Sequence, residues 1–153
     1  MSVVVYDGTV LAADRLAVTS DMRRLCSKIR RDGGGRFFAW VGIHENGCIL
    51  AQWYIDGTKV ADWPKFQDDK DAWTRLIVAT AHGVATCERQ PVFLPVFDTF
   101  TAWGSGRDYA MGAMARGATA VEAVQIASQF DINCGFGVEA YELATEKFVG
   151  TIP

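Results

Sequence analysis

The feature that most constrains this chain is a turn, Asp7-Gly8-Thr9, set between the short apolar runs Val3-Val4-Val5-Tyr6 and Val10-Leu11-Ala12-Ala13. An Asp-Gly step with apolar residues on both sides is a strong short-range signal for a β-hairpin. Pairing about Gly8 sets residue i against residue 16 − i, a register that predicts Ser2 opposite Asp14. No targeting signal is expected before this strand. A second residue as small as serine permits removal of Met1, which leaves an α-amine and a hydroxyl on one residue, beside a carboxylate. An α-amine with an ordinary pKa near ~8 can accept the proton of its own side chain, and no histidine is needed.

The length of 153 residues, 50% of them apolar, suits a single domain over 1–153 with a core able to fold unaided. A net charge of −3 and a pI near 5.3 argue against a nucleic-acid partner, which needs a basic face to neutralise phosphates. The one basic cluster, Arg23, Arg24, Lys28, Arg30 and Arg31, reads as a solvated hairpin edge whose charges discourage strand-to-strand aggregation. Cys26, Cys48, Cys87 and Cys134 show no C-x-x-C spacing, so reduced thiols in a cytoplasmic protein are expected. Together with His44 and His82 they also lack zinc-site spacing, and neither a metal nor a cofactor is expected. No apolar run approaches the ~18 residues of a membrane span.

Strand signals dominate the first third. A second hairpin is predicted over 25–30 and 36–42, turning at Asp32-Gly33-Gly34-Gly35. A strand follows these glycines, so they form a turn and not a phosphate cradle, which needs a helix directly after it. Residues 43–55 carry apolar positions at helical spacing and end at Asp56-Gly57. The polar segment 62–71, with Trp63-Pro64, reads as an exposed loop able to approach a partner or substrate. Strands are predicted over 73–79, 84–87 and 97–103, and Pro91 and Pro95 exclude a central strand between them. Two helices rich in small residues follow, over 106–115 and 120–130, the second capped by Thr119 with Glu122 in a capping box. Two further strands, over 137–143 and 147–152, complete an α+β order that suits a layered domain.

The stretch Trp103-Gly104-Ser105-Gly106-Arg107-Asp108-Tyr109-Ala110, followed by Asp131-Ile132-Asn133-Cys134-Gly135, resembles the proteasome β-subunit and bacterial HslV peptidase family of N-terminal nucleophile hydrolases. Those proteins carry Gly-Ser-Gly entering a helix, a second helix, and then Asp-x-x-Ser-Gly before a strand. The opening hairpin ending Ala-Ala-Asp, the following lysine and the glycine after the next strand occur in family order, so the resemblance spans nearly the whole chain. Its short loops are similar to those of compact bacterial and phage-borne relatives. The resemblance implies a four-layer α/β/β/α sandwich with two mostly antiparallel sheets between helical layers.

Carried onto this chain, the resemblance implies Ser2 as nucleophile, Asp14 and Lys28 as its charged neighbours, and the Gly42 amide as oxyanion donor. Ser105, Asp131 and Cys134 would surround the α-amine. An ammonium at Lys28 lowers the pKa of the nearby amine and hydroxyl, and Asp14 orients that ammonium. Ser2 stands where the family usually has threonine, whose extra methyl restricts χ1, and Cys134 replaces a serine with a weaker hydrogen-bonding thiol. The implied reaction is hydrolysis of peptide bonds through an acyl-enzyme ester on Ser2. The implied partners are a peptide or unfolded protein, further copies of the chain in a closed ring, and a separate ATP-dependent unfoldase. The same fold also accommodates a noncatalytic assembly subunit that keeps Met1, or a small-molecule amidase. Trp53, Tyr54 and Trp63 suit either subunit contacts or core.

Overall fold

The computed structural model describes residues 2–151. The first hairpin joins β1 (Val3–Tyr6) to β2 (Val10–Asp14), but its register differs from the expected one. Val4 pairs with Ala13, Val5 with Ala12 and Tyr6 with Leu11, so residue i faces residue 17 − i and Asp14 falls across from Val3, not Ser2. The cause is Asp7. Its N–H donates to the Val10 carbonyl at 3.3 Å, and its carboxylate accepts the N–H groups of Thr9 at 3.0 Å and Val10 at 2.9 Å. These bonds make the loop four residues long rather than three.

Asp7 also accepts the N–H of Ala120 at 2.9 Å, which ties the hairpin to the first turn of the helix Ala120–Phe130. Partial burial pushes the Asp7 carboxyl up, but bonds from Thr9, Ala120 and Val10 outweigh it and hold the pKa below the ordinary 3.8. A depressed carboxylate stabilises the fold above its unfolded pKa, and that contribution disappears as the pH falls through the lower folded value. The half-exposed site is screened, so Asp7→Asn should cost about 1 kcal/mol at neutral pH. The cost should fade in urea melts as the pH drops through the lowered folded value; an equal deficit at neutral and at strongly acid pH would contradict this assignment.

Two antiparallel sheets stack face to face. The first runs β10 (Thr101–Gly104), β1, β2, β11 (Val138–Glu142). The second runs β5 (Ile29–Arg31), β6 (Phe37–Val41), β7 (Arg75–Thr80), β8 (Gly83–Cys87), β9 (Leu94–Val96). Val4, Leu11, Phe37, Ile77 and Trp103 fill the space between them. Val3 and Val5 point the other way, into a cluster with Ala110, Ala120, Ala123 and Ala127 of α2 (Arg107–Ala115) and α3 (Ala120–Phe130). β1 is apolar at every position because both of its faces are covered. On the far side, Leu50, Ala51 and Trp53 of α1 (His44–Ile55) pack on Phe38, Trp40 and Leu76. The result is the α/β/β/α sandwich. The capping box at α3 is formed, with Thr119 Oγ1 accepting from Glu122 N at 3.2 Å and Glu122 Oε2 from Thr119 N at 2.8 Å.

The segment expected as one strand over 25–30 is divided. β3 (Leu16–Thr19) and β4 (Met22–Leu25) form a separate two-stranded ribbon, and residues 26–28 cross from it to β5. Every residue of β4 is exposed, so no apolar face holds it in the larger sheet. The basic cluster divides with it: Arg23, Arg24, Arg30 and Arg31 are exposed, whereas Lys28 is only 4% exposed and is no part of a solvated edge. Further along, β7 starts two residues later than expected, and of 97–103 only Thr101 onward is strand. β9 carries Pro95 at the sheet edge, where a missing N–H is tolerated. The last expected strand, 147–152, reduces to bridges at Phe148 and Thr151, and Ile152 lies outside the described residues. Trp53 meets Trp63 at 4.8 Å between ring centroids and Tyr54 meets Phe93 at 5.3 Å, so these aromatics pack within the chain.

Candidate active site

The site begins where β1 starts. Val3 pairs with Gly104, the last residue of β10, and the chain then turns through Ser105 and Gly106 into α2. The Ser2 carbonyl oxygen lies in this turn. It accepts the Gly106 N–H at 3.2 Å and the Ser105 hydroxyl at 3.4 Å. Gly104 has φ +99, and a Cβ there would overlap the Ser2 oxygen, so only glycine lets the two backbones meet. Ser2 itself is 2% exposed. Met1, whose removal the sequence reading requires, lies outside the described residues.

Asp14 is fully buried and accepts four hydrogen bonds. Oδ1 takes the Lys28 ammonium at 2.8 Å and the Val3 N–H at 3.0 Å, while Oδ2 takes the N–H groups of Leu16 at 3.1 Å and Gly135 at 3.2 Å. A single oxygen therefore links the Lys28 ammonium to the peptide between Ser2 and Val3. The revised register explains this geometry, because Asp14 faces Val3 and reaches the first backbone amide of the strand. Asp14 holds Lys28 in the orientation the sequence suggested, by a route the sequence register did not give.

Lys28 is carried by the irregular 26–28 crossing, not by a strand. That crossing is gripped by Glu139 of β11, whose carboxylate accepts the Lys28 N–H at 3.1 Å and the Ser27 hydroxyl at 2.9 Å. The Tyr141 hydroxyl adds a bond at 3.4 Å. Sequence reasoning passed over Glu139. Its signal was an acidic residue between Val138 and Ala140, at a position paired with Ala13 of the inter-sheet layer.

Gly42 follows β6 with φ +121, a conformation in which a side chain is strained, and a Cβ there would come within 3.0 Å of Thr74 Oγ1. Thr74 is held by Gln67, which accepts its N–H at 2.6 Å and donates to its carbonyl at 2.8 Å. Gln67 and Thr74 are both fully buried and were also missed, Gln67 because it lies in a stretch that reads as exposed polar loop and Thr74 because it reads as an ordinary residue of an expected strand. Among the described residues Thr74 Oγ1 has no hydrogen-bond partner. Lys28 and Gly42 line one cavity of about 320 Å³, walled by Leu16, Ile43 and Trp73, with His44 beside them. Trp40 donates to His44 Nδ1 at 3.3 Å, and burial followed by the Lys28 charge pushes this imidazole below its ordinary 6.5. It is a neutral, locally bonded side chain, as its place at the start of a helix suggested.

Ser105, Asp131 and Cys134 gather on the other side of Ser2. The Cys134 thiol donates to Asp131 Oδ2 at 3.4 Å, and Asn133 N donates to Oδ1 at 2.9 Å. Partial burial pushes Asp131 up, but bonds from Ser105, Asn133 and Cys134 hold it below the ordinary value. Burial first, and then the charges of Asp14 and Asp131, push the Cys134 thiol far up, so it is a neutral thiol and no nucleophile. All seven sequence-derived residues therefore fall around the start of β1 or the adjoining cavity. The arrangement offers a buried ammonium, a saturated carboxylate and a left-handed glycine beside an apolar cleft.

The sequence matches no protein-family model and no curated protein. Solved structures do match. The chain is similar to Thiobacillus denitrificans BPH in complex with epoxomicin, at 23% identity and TM-score 0.69, covering 94% of this chain and 99% of that one. A second structure of Thiobacillus denitrificans BPH matches at 22% identity and TM-score 0.69, covering 94% of this chain and 98% of the other. HslV from Trypanosoma brucei matches at 19% identity and TM-score 0.65, covering 92% of this chain and 98% of that one. This chain thus has the fold shared by Thiobacillus denitrificans BPH and HslV.

Proposed function

We propose that the chain is an N-terminal nucleophile peptidase that cleaves peptide bonds through an acyl-enzyme on Ser2 after loss of Met1. The observation that carries this reading is the Asp14 Oδ1 bridge between the Lys28 ammonium and the Val3 amide. A fixed positive charge linked through Asp14 to the peptide that follows Ser2 supports that residue as both nucleophile and base. Ser2 Oγ attacks the substrate carbonyl and its proton passes to the α-amine, which Lys28 keeps neutral by charge repulsion. The Gly42 N–H stabilises the tetrahedral oxyanion, a donor worth about 3 kcal/mol in comparable sites. The amine then returns the proton to the leaving nitrogen, and water hydrolyses the ester with the same amine as base. Ser105, Asp131 and Cys134 hold the amine and relay its proton.

Substrates on this reading are peptides or unfolded proteins, with an apolar side chain resting in the cavity formed by Leu16, Ile43 and Trp73. The working form is a homo-oligomeric ring in the cytoplasm, fed by a separate ATP-dependent unfoldase. The fold shared with HslV supports the peptidase reading, and free thiols at all four cysteines suit a reducing compartment. Among the described residues no helix is long and apolar enough to cross a membrane. The test is labelling by a serine-directed β-lactone, followed by peptide turnover. The native chain should be acylated on Ser2 and Ser2→Ala should lose both label and turnover. Labelling elsewhere, or turnover that survives Ser2→Ala, would overturn the reading.

A further inference from the structure

We propose that Glu139 is a second charged positioning residue of this centre, whose buried carboxylate both anchors the Lys28 backbone and sets the pH at which the Ser2 amine becomes a base. The inference rests on Ser2 being the nucleophile. Glu139 is 7% exposed and points from β11 into the layer between the sheets. A carboxylate buried there is costly to desolvate and is retained only where its bonds and charge partners compensate. Its bonds are those from Ser27 Oγ, Lys28 N and the Tyr141 hydroxyl.

Most of those donors would be met equally by a glutamine, so hydrogen bonding alone does not explain an acid. The charges around it do. The Lys28 N–H and Ser27 hydroxyl meet it from the 26–28 crossing and the Tyr141 hydroxyl from its own strand, while Cys26 in that crossing is within range of its charge and of those of Lys28, Asp14 and Arg15. Arg31 of β5 lies 5.0 Å over the Tyr141 ring. Burial, ahead of the neighbouring charges, raises both Cys26 and Tyr141 above their ordinary values, so both are neutral near pH 7. The group then has three cations, Lys28, Arg15 and Arg31, against Asp14 and Glu139, with the Asp131 carboxylate on the other side of Ser2. A freed α-ammonium at Ser2 adds a fourth positive charge. Without Glu139 that ammonium would be driven off at lower pH, so Glu139 counterbalances Lys28 and keeps the amine a stronger base.

The experiment is the pH profile of β-lactone acylation, measured on the full chain for native protein, Glu139→Gln and Glu139→Asp. Glu139→Gln should move the midpoint of the acid limb down by about one pH unit, and Glu139→Asp should restore the native midpoint at a lower plateau. A purely structural role would lower the plateau and leave the midpoint in place. A Glu139→Gln midpoint within about 0.2 unit of native therefore overturns the proposal. If Glu139→Gln does not fold, the double variant Ser27→Ala/Glu139→Met removes both partners of the buried bond and is held to the same downward shift. Native protein that is never labelled on Ser2 would instead overturn the nucleophile reading beneath it.

Discussion

Replacing Lys28 by methionine is expected to lower stability by about 3 kcal/mol and to reduce acylation of Ser2 by at least ~100-fold. The two effects have one origin. Lys28 and Asp14 are buried together, at 2.8 Å, and removing the ammonium leaves an anion in the interior without its counter-charge. Losses of ~3–5 kcal/mol are usual for such a change. The lower end applies here because Asp14 retains the three N–H donors of Val3, Leu16 and Gly135. Methionine preserves the length and apolar packing of the lysine stem, so the measured loss reports charge rather than a cavity. The kinetic effect arises because the α-amine, no longer beside a fixed cation, holds its proton at neutral pH. Chemical denaturation and β-lactone labelling at several pH values measure both. A variant that keeps native stability, or that labels at the native rate at neutral pH, contradicts the assignment.

Gly104→Ala should be a severely damaging methyl addition, costing about 3 kcal/mol or more and abolishing acylation. Its left-handed φ of +99 is already unfavourable for alanine. Beyond that, the new Cβ would overlap the Ser2 carbonyl oxygen, a backbone atom that cannot swing aside as a side chain could. Relief requires moving Ser2 away from the Gly106 N–H and Ser105 hydroxyl that seat it. Gly33 offers an internal control, since it too has a positive φ of +80 but a Cβ there meets nothing within 4 Å. Gly33→Ala should therefore show only the conformational cost, about 1 kcal/mol. Thermal melts of the two variants side by side make the comparison, and equal losses would show that the Ser2 contact contributes nothing.

The elements legible in the sequence were those whose signals are local. The Asp-Gly turn, the glycine-rich turn before β6, the helix at 43–55 and the Thr119 capping box all specify themselves within a few residues, and the structure has each of them. The register of the first hairpin was only partly local. Whether the loop has three or four residues depends on the Asp7 carboxylate, and one of its bonds is to Ala120, more than a hundred residues away. The division of 25–30 was hidden for a similar reason. Residues 22–31 mix charged and apolar side chains without a clear break, and only the burial of Lys28 against Asp14 shows where the ribbon ends and the sheet begins.

The candidate site divides in the same manner. Ser2, Asp14, Lys28 and Gly42 were reached through the family resemblance, whose motifs follow one another in order along the chain. The residues that hold them were not. Glu139 anchors Lys28 across 111 positions, and Gln67 holds Thr74 beneath Gly42 from a stretch with no regular pattern. Such contacts are set by how two sheets stack, and no spacing within either sheet encodes them. The basic cluster shows the same limit from the other side: five similar residues in one stretch, of which four are solvated and one is buried at the centre of the site.

On the proposed mechanism the working chain starts at Ser2, so that one residue provides both attacking oxygen and proton acceptor. Intact mass of the protein purified in its native state tests this most directly, before and after exposure to epoxomicin, the compound bound in the similar Thiobacillus BPH structure. The expected mass is lower than that of the full sequence by one methionine residue, with a single epoxomicin adduct that fragments to Ser2. A chain that retains Met1 quantitatively and forms no adduct would contradict it.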